Sequence, residues 1–201
     1  MLARRPRHAA AAATAAATCV ATLFAASLAP VAGAATLIHA GRVIDGVSDR
    51  ALRDGLRLDG EVEAVLLVEN LGAWRDMPRP GRWLLAHVPG WNTALVRPLI
   101  GAIGDVPVVH FGDLDPNGVR IVEHLRGQLP GLRWLVPDWW EELRPLHAHR
   151  REWPADLDLS GAPPLVRRLA ATGEWLEQER VALDPRLPEA MAAALRGSPG
   201  G

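Results

Sequence analysis

Three acidic residues, Glu69, Asp113 and Asp115, sit where their types and spacing could do chemistry. Asp113 and Asp115 lie in VVHFGDLDPNGVRI, at the point where an apolar run ends and a new segment begins. Residues two apart in extended chain point the same way, so this pair could chelate one hard cation. Glu69 closes another apolar run, AVLLVEN. If both runs are neighbouring strands of an open parallel sheet, all three carboxylates meet at its carboxyl edge, where such sheets gather functional groups. Magnesium suits such a site, because it takes a few carboxylates, keeps several waters and is completed by phosphate. Gly112 and Gly118 would let the backbone and a phosphodiester approach closely, and the segment opening at Pro116 would present free N–H groups to an anion. The same residues also suit a plainer reading. Asp115 before Pro116 is a good helix N-cap with a favoured first-turn proline, Asp113 is a common turn residue, and Glu69 could be solvated.

The elements that must position these groups are legible as an alternation. Ala64–Val68 is a continuous apolar run, as expected of a strand buried on both faces. Arg82–Ala86 is a second strand, and residues 91 to 103 carry Leu95, Leu99 and Ile103 on one helical face, with Pro98 weakening or kinking it. Val106–Phe111 is a third strand. Gly118, Ile121, Val122, Leu125 and Leu129 recur at helical spacing, and Leu132–Val136 is a fourth strand. Alternation of this kind implies a parallel sheet with covering helices. Residues 138 to 162 read poorly. Leu165–Ala171, Glu174–Val181 and Leu187–Leu195 look helical, before a frayed SPGG tail. The expected fold is therefore α/β, a parallel sheet of about four strands flanked by helices, with a helical C-terminal extension. The expected segments are 1–35, 36–59, 60–150 and 151–201.

Composition excludes several classes. With 22 Lys and Arg against 23 Asp and Glu in 201 residues, there is no global basic signal of a nucleic-acid binder. Cys19 stands alone, which rules out an internal disulfide or a cysteine zinc cluster within the chain. Tyrosine is absent, so no tyrosine of this chain attacks a phosphodiester. Residues 1 to 35 have the parts of a secretory signal: Arg4, Arg5 and Arg7, an Ala-rich apolar stretch, and Ala32-Gly33-Ala34 as a small-x-small cleavage site. They equally suit an Ala-rich extension. In the stretch TLIHAGRVIDGVSD, Leu37-Ile38 and Arg42-Val43-Ile44 read as short strands, with Asp45-Gly46 as a hairpin turn. No later apolar run is long enough to span a membrane.

Two resemblances add to this reading. Residues 1 to 50 are similar to the start of secreted amidohydrolases. They lack the His-x-His pair that family places after its entry strand; His147 and His149 lie far downstream. The remainder looks different. VLLVEN followed by FGDLDPNGVRIVEHL resembles the Toprim fold of topoisomerases, primases and some nucleases. Its signature is a Glu after the first strand and an Asp-x-Asp after the third. VENLGAW, VPGWNTALVRPL, FGDLDPNG and GEWLEQERV together resemble the C-terminal Toprim domain of JetD, the nuclease subunit of Wadjet defence systems and a relative of the topoisomerase VI A subunit. Carried over by position, Glu69, Asp113 and Asp115 would hold magnesium, with Glu69 doubling as a general acid or base. Asn70, Gly112 and Gly118 would shape the rim.

The resemblance implies a magnesium-dependent DNA endonuclease acting on plasmids by metal-assisted hydrolysis. Its partners would be double-stranded DNA, motor-complex subunits and a possible second copy, with no membrane partner. It implies a cytoplasmic location, against which the signal-like start stands. A different class fits the same residues: a non-catalytic DNA-binding or assembly module.

Among other residues, His110 could approach phosphate or, as the favoured reading, sit partnered in the core; His147 with His149 would make half of a metal site, against which the lack of a third ligand nearby in sequence counts. The eight tryptophans invite a base-stacking reading; most read as core or helix-packing groups, with Trp139 and Trp140 the best exposed candidates. Arg144, Arg150, Arg151, Arg167 and Arg168 form either a phosphate-tracking face or a solvated one.

Overall fold

The computed structural model describes residues 37–39, 57–59 and 61–196. The signal-like segment and the Asp45-Gly46 turn lie outside these residues. Strand β1 (Leu37–His39) pairs antiparallel with β2 (Arg57–Asp59), Ile38 opposite Leu58. The short strand expected over Arg42-Val43-Ile44 also lies outside the described residues.

The body of the chain is a four-stranded parallel sheet. Its strands are β3 (Ala64–Val68), β4 (Trp83–His87), β5 (Val108–Phe111) and β6 (Arg133–Trp134), in the order β4-β3-β5-β6. Every residue of β3 is buried, because helices cover both faces of the sheet. The period of two divides its side chains between two cores. Ala64, Leu66 and Val68 join Phe111, Trp140, Val166, Leu169 and Met191 on one face. Val65 and Leu67 join Val96, Ile121 and Leu125 on the other. Full burial of each such Leu or Val contributes roughly 1.5–3 kcal/mol.

The helices are α1 (Leu71–Asp76), α2 (Val96–Ile103), α3 (Pro116–Gln128), α4 (Arg144–His147), α5 (Pro164–Thr172), α6 (Glu179–Ala182) and α7 (Leu187–Arg196). A 3-10 turn covers Asp138–Leu143, and β7 (His149–Arg150) pairs antiparallel with β8 (Glu174–Trp175). Helix α2 starts five residues later than its apolar spacing suggests, and Pro98 falls in its first turn. There the missing N–H has no helical partner to lose, so the proline neither kinks nor breaks the helix. The helix expected over Glu174–Val181 is not formed as one piece. Gly173, at φ +64, ends α5 in a left-handed cap. Glu174–Trp175 then becomes a strand against His149–Arg150, and only Glu179–Ala182 is helical. Among the described residues no helix is long and apolar enough to cross a membrane.

The strand order decides where a site can form. From β3 the chain moves outward to β4, then returns across β3 to place β5 on the other side. The carboxyl ends of β3 and β5 therefore flank the topological switch point, the crevice where open α/β sheets bind ligands.

Candidate metal centre at the switch point

Val68 is in register with Phe111, and Glu69 N–H donates to the Phe111 carbonyl at 3.0 Å. Glu69 therefore leaves β3 where Gly112 and Asp113 leave β5, and both carboxylates belong to one rim. Burial, then the charges of Asp113 and Asp115, push the Glu69 carboxyl up to about 7. Burial pushes Asp113 up to about 6, against the hydrogen bond that Gln178 N–H donates to its Oδ1 at 2.7 Å. Glu179, Asp115 and Glu177 add to the rise at Asp113. Two half-buried carboxylates that each raise the proton affinity of their neighbourhood form a negative pocket suited to a cation.

Asp115 is placed differently. It is 7 % exposed and caps α3, its Oδ1 accepting from Gly118 N–H at 2.7 Å. Its Oδ2 is held by Arg151 at 2.5 Å. The cap reading is thus realised, and an arginine occupies the oxygen that faces away from the helix. Among the described residues no three of His, Cys, Asp and Glu are gathered tightly enough to hold a metal ion. The donor chemistry nevertheless fits magnesium: Glu69 Oε2 is buried without a hydrogen-bond partner, and all three candidates offer hard carboxylate oxygens.

His110 is fully buried on the same face as Glu69, its Nε2 4.0 Å from Glu69 Oε2. It was expected to be partnered, yet neither ring nitrogen has a hydrogen-bond partner. Burial pushes it down to about 3, so it is a neutral wall of the site. Its contribution to stability is lost as pH falls from 6.5 through about 3, because only the unfolded chain protonates readily in that window.

The glycines act within the chain. A Cβ on Gly112 would lie 2.5 Å from Glu69 Oε2 and 2.6 Å from His110 Nε2. A Cβ on Gly118 would be driven into the Asp113 carbonyl oxygen. The two positions thus let one part of the rim approach another. Asn70 is the N-cap of α1, its Oδ1 accepting from Gly72 N–H at 2.7 Å. Asn70→Ala should cost about 1 kcal/mol in urea unfolding; an unchanged midpoint would show that the cap contributes nothing.

Several residues emerge only in three dimensions. Gln178 is fully buried; its Nε2 donates to the Phe111 carbonyl at 2.9 Å and its Oε1 accepts from Asn70 N–H at 3.0 Å. The segment carrying it is pinned by the Leu114–Leu176 bridge. Glu177 and Glu179 flank it, and Arg151 reaches Asp115 from after β7. In the sequence Glu177, Gln178 and Glu179 show as the charged string LEQER, similar in type to any solvated helix face, and Arg151 as one arginine of the candidate phosphate-tracking face. Trp140 is buried against Phe111 at 5.8 Å, and Trp139 lies under the Arg186 guanidinium at 4.3 Å. The exposed tryptophan is instead Trp91, 53 % exposed, its Nε1 donating to Asn117 Oδ1. Of the five arginines considered, Arg144 and Arg150 meet Glu174, Arg151 meets Asp115, and Arg168 meets Glu141. Arg167 donates to the Ala162 carbonyl. His149 lies against Trp175 at 4.7 Å with its Nε2 3.7 Å from Glu177 Oε1, and no group of three metal-binding side chains forms there among the described residues.

A four-stranded parallel sheet flanked by helices, with a Glu after one central strand and an Asp-x-Asp after its neighbour, is an α/β fold of the Toprim kind. Residues 40–189 match the family model described as Wadjet protein JetD, C-terminal. The chain belongs to that family. No curated protein matches it in sequence.

Proposed function

We propose that the chain is the magnesium-dependent DNA endonuclease part of a Wadjet anti-plasmid defence subunit. The reading is carried by one observation: Glu69 and Asp113 leave adjacent parallel strands at the switch point as mutually repelling carboxylates, with Glu69 Oε2 buried and unpartnered. Glu69 and Asp113 would hold the ion, with Asp115 joining once Arg151 lets go. When bound, magnesium supplies charge neutralisation at phosphorus and a more acidic water. Glu69 would hold or release a proton at its free oxygen. Buried His110 keeps water from the back of the rim, and Gly118 holds the Asp113 backbone against the start of α3. The substrate would be double-stranded DNA, with motor-complex subunits and a second copy as partners in the cytoplasm.

The test is nicking of supercoiled plasmid by the full chain in magnesium, absent in EDTA. Cutting that survives EDTA would sink the metal reading.

Magnesium uptake also requires both acids to be ionised. Apparent magnesium affinity, followed by calorimetric titration, should weaken by about tenfold per pH unit between 7 and 6, more steeply below 6 where Asp113 also takes a proton, and level off above 7. A flat profile between pH 6 and 8 would mean that Glu69 is not a ligand.

A second reading has its own support. Asp115 has both oxygens engaged, and no three-ligand group is assembled among the described residues. A non-catalytic DNA-binding or assembly module would hold DNA equally well in EDTA and cut nothing.

A further inference from the structure

We propose that Gln178 is a positioning residue that sets the spacing between the two carboxylate-bearing strand ends, so that metal affinity depends on the C-terminal segment as well as on the sheet. The proposal rests on the nuclease reading and deepens it. Glu69 and Asp113 are carried by separate strands, and past Val68 and Phe111 the ladder between those strands ends. Beyond that point a few contacts hold the two chain ends at their distance. Gln178 spans them. Its side-chain amide donates to Phe111 O, one residue before Gly112, and accepts from Asn70 N–H, one residue after Glu69. Its own backbone N–H donates to Asp113 Oδ1.

One residue thus orients a carboxylate directly and fixes the backbone beside the other. Its donor and acceptor are matched to a carbonyl on one strand and an amide on the other, an arrangement that an amide side chain supplies and a carboxylate or hydrocarbon of equal length does not. The bridge is out of water, with Gln178 fully buried, so its bonds are not exchanged for solvent. Leu114 and Leu176 exchange backbone hydrogen bonds on the far side, which fixes the register in which Gln178 meets the rim. Groups that orient metal ligands typically alter affinity by about 10–100-fold when removed.

Gln178→Met keeps the volume and removes both side-chain bonds. Magnesium would be titrated calorimetrically into the full chain and into this variant, below both melting transitions, with circular dichroism to show that the variant is folded. Magnesium affinity is expected to fall by about tenfold or more. A folded variant with the affinity of the parent overturns the proposal. If the variant does not fold, the parent decides: on adding magnesium, the Asn70 backbone and Gln178 side-chain amide resonances should move together with those of Glu69 and Asp113. Shifts at Glu69 and Asp113 with Asn70 and Gln178 unmoved overturn the positioning role alone. A parent chain that takes up no magnesium overturns the nuclease reading and this role with it.

Discussion

Glu69→Gln is expected to end magnesium-dependent nicking and, at the same time, to make the folded chain more stable at pH 8. The activity loss should be at least about 100-fold, since a direct ligand contributes more than the groups that orient it. The stability gain follows from the cause of the raised proton affinity. Burial and the neighbouring aspartates lift Glu69 from 4.5 to about 7. Between those values the folded chain binds a proton that the unfolded chain has released. The stability tied to this group is therefore fully present below about 4.5 and lost as pH rises through about 7. Glutamine removes the charge that is costly above that range. Its gain should be of order 1–3 kcal/mol at pH 8 and near zero at pH 4.5. Urea unfolding at the two pH values, beside a plasmid-nicking assay, reads both halves. Loss of activity together with lower stability at pH 8 would show a structural Glu69 whose carboxylate is satisfied rather than repelled. Such a group, kept at a cost to the fold, is the usual mark of a functional site.

Gly118→Ala should be the most damaging single-methyl change in α3, costing about 3 kcal/mol or more. The obstacle to the new Cβ is the Asp113 carbonyl, a backbone atom that cannot swing aside as a side chain would. Either the first turn of α3 opens, breaking the bond from Gly118 N–H to Asp115, or the Asp113 backbone moves off the rim. Gly127, near the other end of the same helix, is the control. A Cβ there meets nothing within 4 Å, so Gly127→Ala should stabilise the chain by about 0.5 kcal/mol through lower entropy of the unfolded state. Thermal unfolding of the two variants in parallel decides the point. Equal and small effects would mean that the close approach at Gly118 is relaxed in solution. Gly112 differs in kind, because the ends of two side chains, Glu69 and His110, face its missing Cβ. A methyl there would have to displace both the Glu69 carboxylate and the buried His110 ring.

Much of the architecture could be read along the chain because it is written in short-range patterns. A five-residue apolar run such as Ala64–Val68 has one economical fate, a strand covered on both faces. The spacing of Ile121, Val122 and Leu125 marks the buried side of α3, and Asp115-Pro116 marks its start. The misplaced elements are those whose pattern is ambiguous. Glu174–Val181 has a helical composition, but Gly173 turns the chain and the edge of His149–Arg150 captures Glu174–Trp175 as a strand. Trp140 looked exposed among charged neighbours, whereas the 3-10 turn directs it inward onto Phe111.

Residue type and local spacing by themselves determined the parallel sheet, the helix cap at Asp115 and the three acids at strand ends. The tertiary structure decided the rest. It placed β3 beside β5, gave Arg151 to Asp115, and brought Gln178 to a strand end 108 residues away in the chain. It also left His110 buried beside Glu69 without a hydrogen bond. The physical reason is range. Propensity, capping and hydrophobic period act over a few residues. Proton affinity and ligand geometry instead depend on burial and on charges a few ångströms away in space, which distant parts of the chain supply only once they have packed.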